Sequence, residues 1–306
     1  MNNYVIGVDL GGTKVEACLM DHDRNILSRK RVLINTQQGL DVVIQSIISI
    51  IKKAAGKNSF DAVGMGTPGT HVPEEDKIYG APNSLVYEEQ GFIGRLRKEL
   101  GVPLVVENDA NCLALAEFFA SCEGKYRFVL AVILGTGFGT GLILDNKLYR
   151  GARGGAGELG HTSIDLNGRA CVCGRLGCVE AYLSGPSISR RFFEIGGKYL
   201  DVPEIFKLYQ EEDPGAISLL NETSRIMGEV FANFVNTFDL EAIILGGGVS
   251  NLPIWYRNDT VSHYMKKSFF GVPREEVPLI QARLGDSAGV AGAAFLALRE
   301  LGILNF

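Results

Sequence analysis

The sequence has little of what marks a membrane, secreted or nucleic-acid-binding chain. Charge of one sign is missing: 30 Lys and Arg stand against 35 Asp and Glu, a net −5. That balance is too mild, and of the wrong sign, to bind nucleic acid or an anionic membrane through bulk charge. A long apolar run is missing too. The longest charge-free stretch, Phe128–Leu144, is broken by Gly135, Gly137, Gly139 and Gly141, whereas a membrane span needs about 20 predominantly apolar residues. The apolar start, Tyr4–Leu10, contains Asp9 and has no basic flank or small-residue cleavage site. No secretory leader is expected, and the cytoplasm is the expected compartment. Cysteine is sparse, and three of the six crowd into Cys171–Cys178. In a large chain without a leader that clustering reads as metal or redox chemistry rather than disulfide staples.

Glycine is the one excess, at 38 of 306 residues, about 12% against a usual 7%. The glycines have no collagen-like period, so they serve loops. At roughly 150 residues per domain the length favours two domains. The pattern agrees. A strand at Tyr4–Leu10, a Gly11-Gly12-Thr13 turn and a strand at Val15–Asp21 recur as Phe128–Leu134, Gly135–Gly139 and Thr140–Leu144. A strand at Arg29–Leu33, helices at Leu40–Ala55 and Phe92–Leu100, and strands at Ala62–Gly66 and Leu104–Glu107 follow the first copy. A helix from Asn111 to Glu123 completes it, with Gly66–Gly91 largely loop. Helices at Ser187–Gly197, Pro203–Tyr209 and Ala216–Phe238 and a strand at Ala242–Leu245 follow the second copy, and a helix at Ser287–Leu301 closes the chain. This is a duplicated α/β architecture. Residues 1–123 form one domain, to which 287–306 returns, and 124–286 form the other. Two similar lobes imply a cleft for a small molecule.

Neither glycine turn is a standard phosphate motif. Gly12-Thr13-Lys14 reverses the Walker order, and both turns lead into strands rather than helices. What remains is a pair of hairpin tips that expose backbone N–H groups beside a hydroxyl (Thr13, Thr136) and, once, Lys14. Such tips can hold phosphate oxygens, or be ordinary turns; their matching, with a third cluster at Gly246-Gly247-Gly248, favours phosphate. Asp9 at the first strand's end is a turn residue or a carboxylate for Mg²⁺ through water. His161, Cys171, Cys173 and Cys178, with glycines between them, supply three thiolates and an imidazole. They complete a closed tetrahedral Zn²⁺ site with no open position for catalysis. Glu107-Asn108-Asp109-Ala110-Asn111 joins a strand to a helix. Asp109 or Asn108 could simply cap that helix. Yet such junctions face the ligand crevice in α/β folds, and an ionised aspartate there can accept the proton of an attacking hydroxyl. Glu158 and Glu180 flank the zinc loop, where each carboxylate can accept the paired hydroxyls of a sugar. His161 can bind metal through one nitrogen and face substrate with the other.

Together, Asp9–Lys14, Glu107–Asn111, Leu134–Gly139, Gly157–His161, Cys171–Cys178 and Gly246–Gly248 resemble the ROK family (repressors, open reading frames, kinases), essentially end to end. The resemblance implies an α/β, two-lobed, actin-like ATPase fold of duplicated ribonuclease H-like domains with a structural zinc loop. It also implies ATP-dependent phosphorylation of a hexose at its C6 hydroxyl. Asp109 would be the catalytic base. Gly69, Asn83, Asn108, Asp109, Glu158, His161 and Glu180 would bind the sugar. Asp9, Gly11, Gly12, Thr13, Lys14, Thr136 and Gly137 would hold the ATP phosphates and Mg²⁺, with Gly246, Gly247 and Gly248 near the adenosine. Gly177–Gly185 and Gly285–Val290 resemble the family's N-acetylglucosamine kinases and fructokinases. N-acetylglucosamine or glucose is the expected acceptor, with fructose or N-acetylmannosamine as alternatives. The family also holds repressors, which carry a DNA-reading helix-turn-helix ahead of the fold. With a first strand at Tyr4, an enzyme is expected, and a silent sugar sensor is the reading from another class. Family habit adds a homodimer.

Overall fold

Strand β1 (Tyr4–Leu10) turns back at Gly11–Thr13 into β2 (Lys14–Asp21), and β3 (Ile26–Leu33) adds a third antiparallel strand. These are from the computed structural model of the chain, which describes residues 4–81, 84–196, 198–271 and 276–306, without the side chain of Asp286. The third strand starts earlier than the sequence suggests. It lies at the sheet edge and is mostly exposed, so Arg29 and Arg31 carry no apolar alternation; both instead pair with the buried Glu16 of β2.

Helix α1 (Leu40–Ala55) follows. Its Val43, Ile44, Ile47, Ile48 and Ile51 recur at helical spacing and are all buried, each burial stabilising by about 1.5–3 kcal/mol. Strand β4 (Val63–Thr67) then lies parallel to β1, and the short hairpin β5 (Thr70–Val72) and β6 (Lys77–Tyr79) stands apart from the main sheet. Helix α2 (Phe92–Leu100) leads to β7 (Leu104–Asn108), parallel to β4, and helix α3 (Asp109–Ser121) starts at once. The sheet order is β3-β2-β1-β4-β7.

The chain divides into two compact units. The first takes 1–120, 147–156 and 286–306, and the second 121–146 and 157–285. In the second, β8 (Val129–Leu134) pairs antiparallel with β9 (Phe138–Leu144), and Ala242–Gly246 and then Leu279–Gln281 add in parallel. A hairpin followed by two parallel strands is the arrangement of β2, β1, β4 and β7. The expected duplication is therefore present at the level of topology. Helix Pro214–Phe238 starts two residues before the expected Ala216, because Asp213 Oδ1 accepts the Ala216 N–H at 2.8 Å and proline fills the first position. The two units have separate apolar cores, one around α1 and one around Phe231 and Trp255.

The closing helix, Ala288–Glu300, belongs to the first unit and runs against β1 and β4. It is small-residue rich, and it packs backbone to backbone: a side chain at Gly7 or Gly64 would overlap its carbonyls at Val290 or Ala293.

Candidate active site

In the first unit the β1–β2 tip is closed by Gly11 N–H donating to the Lys14 carbonyl at 2.9 Å, and braced by the Tyr87 hydroxyl donating to the Gly11 carbonyl at 2.9 Å. Thr13 and Lys14 are exposed on it. Asp9, one residue before the strand end, is half-buried. Burial raises its pKa, against the opposing pull of Lys14, Arg31 and Arg29.

The β7–α3 junction resolves which residue caps the helix. Asn108 Oδ1 accepts the N–H groups of Ala110 at 2.9 Å and Asn111 at 3.3 Å, so Asn108 is the cap and Asp109 is the first helical residue. Asp109 Oδ1 shares the Ala110 N–H at 2.8 Å. At this end of a helix the partial positive charge favours an ionised carboxylate. The Asn108 amide also donates to the Gly69 carbonyl at 3.2 Å, which draws two expected sugar contacts together. Asn83, a third, lies outside the described residues.

Glu107 is the residue that sequence reasoning passed over. It is only 6% exposed; its Oε1 accepts from the Asn108 N–H and the Asn111 amide, both at 2.9 Å, while Oε2 pairs with Arg150. A charged strand end was visible, but Arg150 is 43 residues away and no local pattern points to it. The Cys112 thiol shows how these groups converge. Burial, then the charges of Glu107, Asp9 and Asp109, push it well above its usual value, so the first tip and the β7–α3 junction share one neighbourhood.

In the second unit the β8–β9 tip is held by Gly135 N–H donating to the Gly137 carbonyl at 3.1 Å, and Thr136 is exposed on it. The third glycine cluster follows the strand Ala242–Gly246. Gly247 has φ 84°, and a side chain there would overlap the Leu134 carbonyl. Gly247 therefore lies against the end of β8, beside the tip. Glu180 joins this tip to the cysteine loop: its Oε2 accepts the Phe138 N–H at 3.0 Å, and its Oε1 is 4.0 Å from Cys171 Sγ.

The donor atoms of His161, Cys171, Cys173 and Cys178 lie within 4.8 Å of one another. Cys171 Sγ is 3.5 Å from His161 Nδ1, and Cys173 Sγ is 3.6 Å from Cys178 Sγ. Sulfurs about 2.3 Å from a tetrahedral zinc stand about 3.8 Å apart, so the set fits the ion. Burial raises the Cys178 thiol to about 12 and also raises Cys171, whereas the Arg175 N–H lowers Cys173. Nδ1 faces the sulfurs, which leaves Nε2 of His161 for another partner. Glu158 stands exposed just before the turn Leu159–His161, whose His161 N–H donates to the Glu158 carbonyl at 3.1 Å.

Among the described residues no helix is long and apolar enough to cross a membrane. Comparison with known proteins gives a consistent result. The chain is 33% identical over 312 residues to an N-acetyl-D-glucosamine kinase of Mannheimia succiniciproducens, covering 96% of this chain and 99% of that protein. A crystal structure of a ROK hexokinase from Thermus thermophilus superposes with a TM-score of 0.87 at 33% identity, covering 98% of this chain and 99% of that one. A ROK family glucokinase from Streptomyces griseus, in complex with glucose and AMPPNP, gives a TM-score of 0.76 at 31% identity, covering 97% and 99%. The shared fold is the actin-like ATPase fold that the family resemblance implies. The ROK family model matches residues 5–300, and the chain belongs to the ROK family.

Proposed function

We propose that the protein is an ATP-dependent hexose kinase, with N-acetylglucosamine or glucose as acceptor. One observation supports the reading beyond kinship: Asn108 caps α3, which makes Asp109 the first helical residue, at the helix end whose partial positive charge favours a carboxylate. Asp109 takes the proton of the C6 hydroxyl as that oxygen attacks the γ-phosphorus. The new C6–O–P bond forms, the bond from phosphorus to the β–γ bridging oxygen breaks, and ADP and the hexose 6-phosphate leave. Asn108 and Gly69 orient the sugar from one side of the chain's chemistry, and Glu158, His161 Nε2 and Glu180 receive its other hydroxyls. Backbone N–H groups at Gly12–Thr13 and Thr136–Gly137, with the Lys14 and Thr136 side chains, receive the phosphates, Gly11 and Gly135 close the two tips, and Gly246–Gly248 receive the adenosine. Mg²⁺ bound with ATP neutralises charge on the phosphates, and Asp9 would hold it through water. Zn²⁺ on His161, Cys171, Cys173 and Cys178 would be structural, ordering the loop before Glu180. The same reading carries a homodimer in the cytoplasm.

The relatives divide between N-acetylglucosamine and glucose. An acetamido group and a hydroxyl differ by contacts worth only about 1–3 kcal/mol, so the acceptor is found by assay. ADP release is measured with Mg²⁺·ATP against N-acetylglucosamine, glucose, N-acetylmannosamine, mannose and fructose, with the product's phosphorylated position read by ³¹P NMR. Turnover of one of the first two, phosphorylated at C6, is the expected result. Zinc-loaded, folded protein that releases no ADP with any of them would sink the reading and favour a sugar sensor.

A further inference from the structure

The closing helix begins against Asp9. A Cβ at Gly289 would lie 2.8 Å from Asp9 Oδ2 and 2.9 Å from its Cγ, well inside the roughly 3.5 Å at which non-bonded heavy atoms rest. Carboxylate and first helical turn meet only because residue 289 has no side chain.

The helix end cannot simply retreat. The Arg29 guanidinium donates to Ser287 Oγ at 2.6 Å, and the Cys18 thiol donates to the Val290 carbonyl at 3.6 Å. One turn further on, Gly292 abuts the Cys112 carbonyl of α3, where a Cβ would overlap backbone. The nearest neighbour that a side chain at 289 would have to displace is therefore the Asp9 carboxylate. The contact also suits that carboxylate. Ser287 makes no side-chain cap on the helix, and the start of a helix carries partial positive charge that favours a nearby carboxylate such as Asp9. Lys14, Arg31 and Arg29 supply the rest of the field against the cost of burial.

We propose that Gly289 is a positioning residue for Asp9: its bare Cα fixes where the carboxylate stands at the first phosphate tip, and so sets how the chain receives the nucleotide-bound cation. The proposal rests on the kinase reading for what Asp9 does, and on packing alone for where Asp9 stands. Two arms of one experiment separate these.

Gly289→Ala, Asp9→Ala and the double variant are compared by thermal melting and by Mn²⁺ binding in the presence of ADP, followed by electron paramagnetic resonance. Gly289→Ala is expected to weaken Mn²⁺·ADP binding by about tenfold or more, the scale seen when a group that orients a metal's carboxylate is disturbed. It should raise the KM for Mg²⁺·ATP and leave the sugar KM unchanged. In the Asp9→Ala background the same change should cost nothing further, in binding or in melting temperature. If Gly289→Ala alone fails to fold, recovery of a folded protein in the double variant supports the proposal, and a double variant that also fails overturns it. Additive losses, or Mn²⁺·ADP binding within twofold of native in Gly289→Ala, overturn it as well. Non-additive melting in a chain that neither binds Mn²⁺·ADP nor phosphorylates a sugar sustains the positioning and removes the kinase reading.

Discussion

Replacing Glu107 by Gln keeps the side chain's shape and removes the charge that holds the start of α3. Native Glu107 accepts two N–H groups at 2.9 Å and pairs with Arg150 from a position only 6% exposed. A glutamine has one acceptor oxygen, so its amide N–H₂ must face either Arg150 or the Asn108 and Asn111 donors. Breaking a buried pair from one side costs about 3–5 kcal/mol. Arg150 keeps 30% of its surface and can hydrate when abandoned, which places the loss at the lower end, about 3 kcal/mol. Arg95 and Asp41 offer the control, a pair 46% and 82% exposed. Asp41→Asn should cost at most about 1 kcal/mol. The assay is urea unfolding followed by far-UV circular dichroism, with kinase activity measured on the folded variant. Because Asp109 is two residues on, kcat should fall more than either KM rises. A Glu107→Gln loss no larger than that of Asp41→Asn would refute the claim that this carboxylate anchors the helix carrying the base.

Asn108→Ala removes the α3 cap and should lower stability by about 1 kcal/mol and raise the sugar KM, both readable in one preparation; an unchanged melting temperature would mean the cap is made elsewhere. Purified protein should contain one zinc per chain by elemental analysis, and Cys173→Ala should lose it and become protease-sensitive between Thr162 and Glu180. Metal-free native protein with an intact loop would contradict that. The Cys18 thiol is pushed by burial to about 12 from 9.0, so its contribution is complete below pH 9 and is lost as pH rises toward 12. Between pH 8 and pH 10 the native chain should therefore lose about 1.4 kcal/mol more than Cys18→Ala, and equal losses by urea unfolding would show that the thiol titrates freely.

The long elements could be read from the sequence because their periods are long enough to count. The α1 isoleucines and the two glycine-tipped hairpins announce themselves, and the second hairpin's repetition of the first gives the topology. The short hairpin β5–β6 escapes, because three residues per strand carry no period, and so does the strand Leu279–Gln281. Asn108 and Asp109 are both good caps, so their neighbouring positions leave the assignment open until hydrogen bonds decide it. The cysteine–histidine cluster was visible because its four donor residues lie close in sequence. Glu107 with Arg150 and Asp9 with Gly289 were not, since each pairing is made by the fold between distant stretches with no spacing rule to connect them.

The most direct measurement is single-turnover phosphoryl transfer by Asp109→Asn beside the native chain, with the acceptor sugar saturating and Mg²⁺·ADP affinity measured in parallel. The asparagine keeps the shape and cannot take a proton. The transfer rate should fall by at least about two orders of magnitude, as for a lost general base, while Mg²⁺·ADP binding stays within twofold. A transfer rate near native would contradict the assignment of Asp109 as the base.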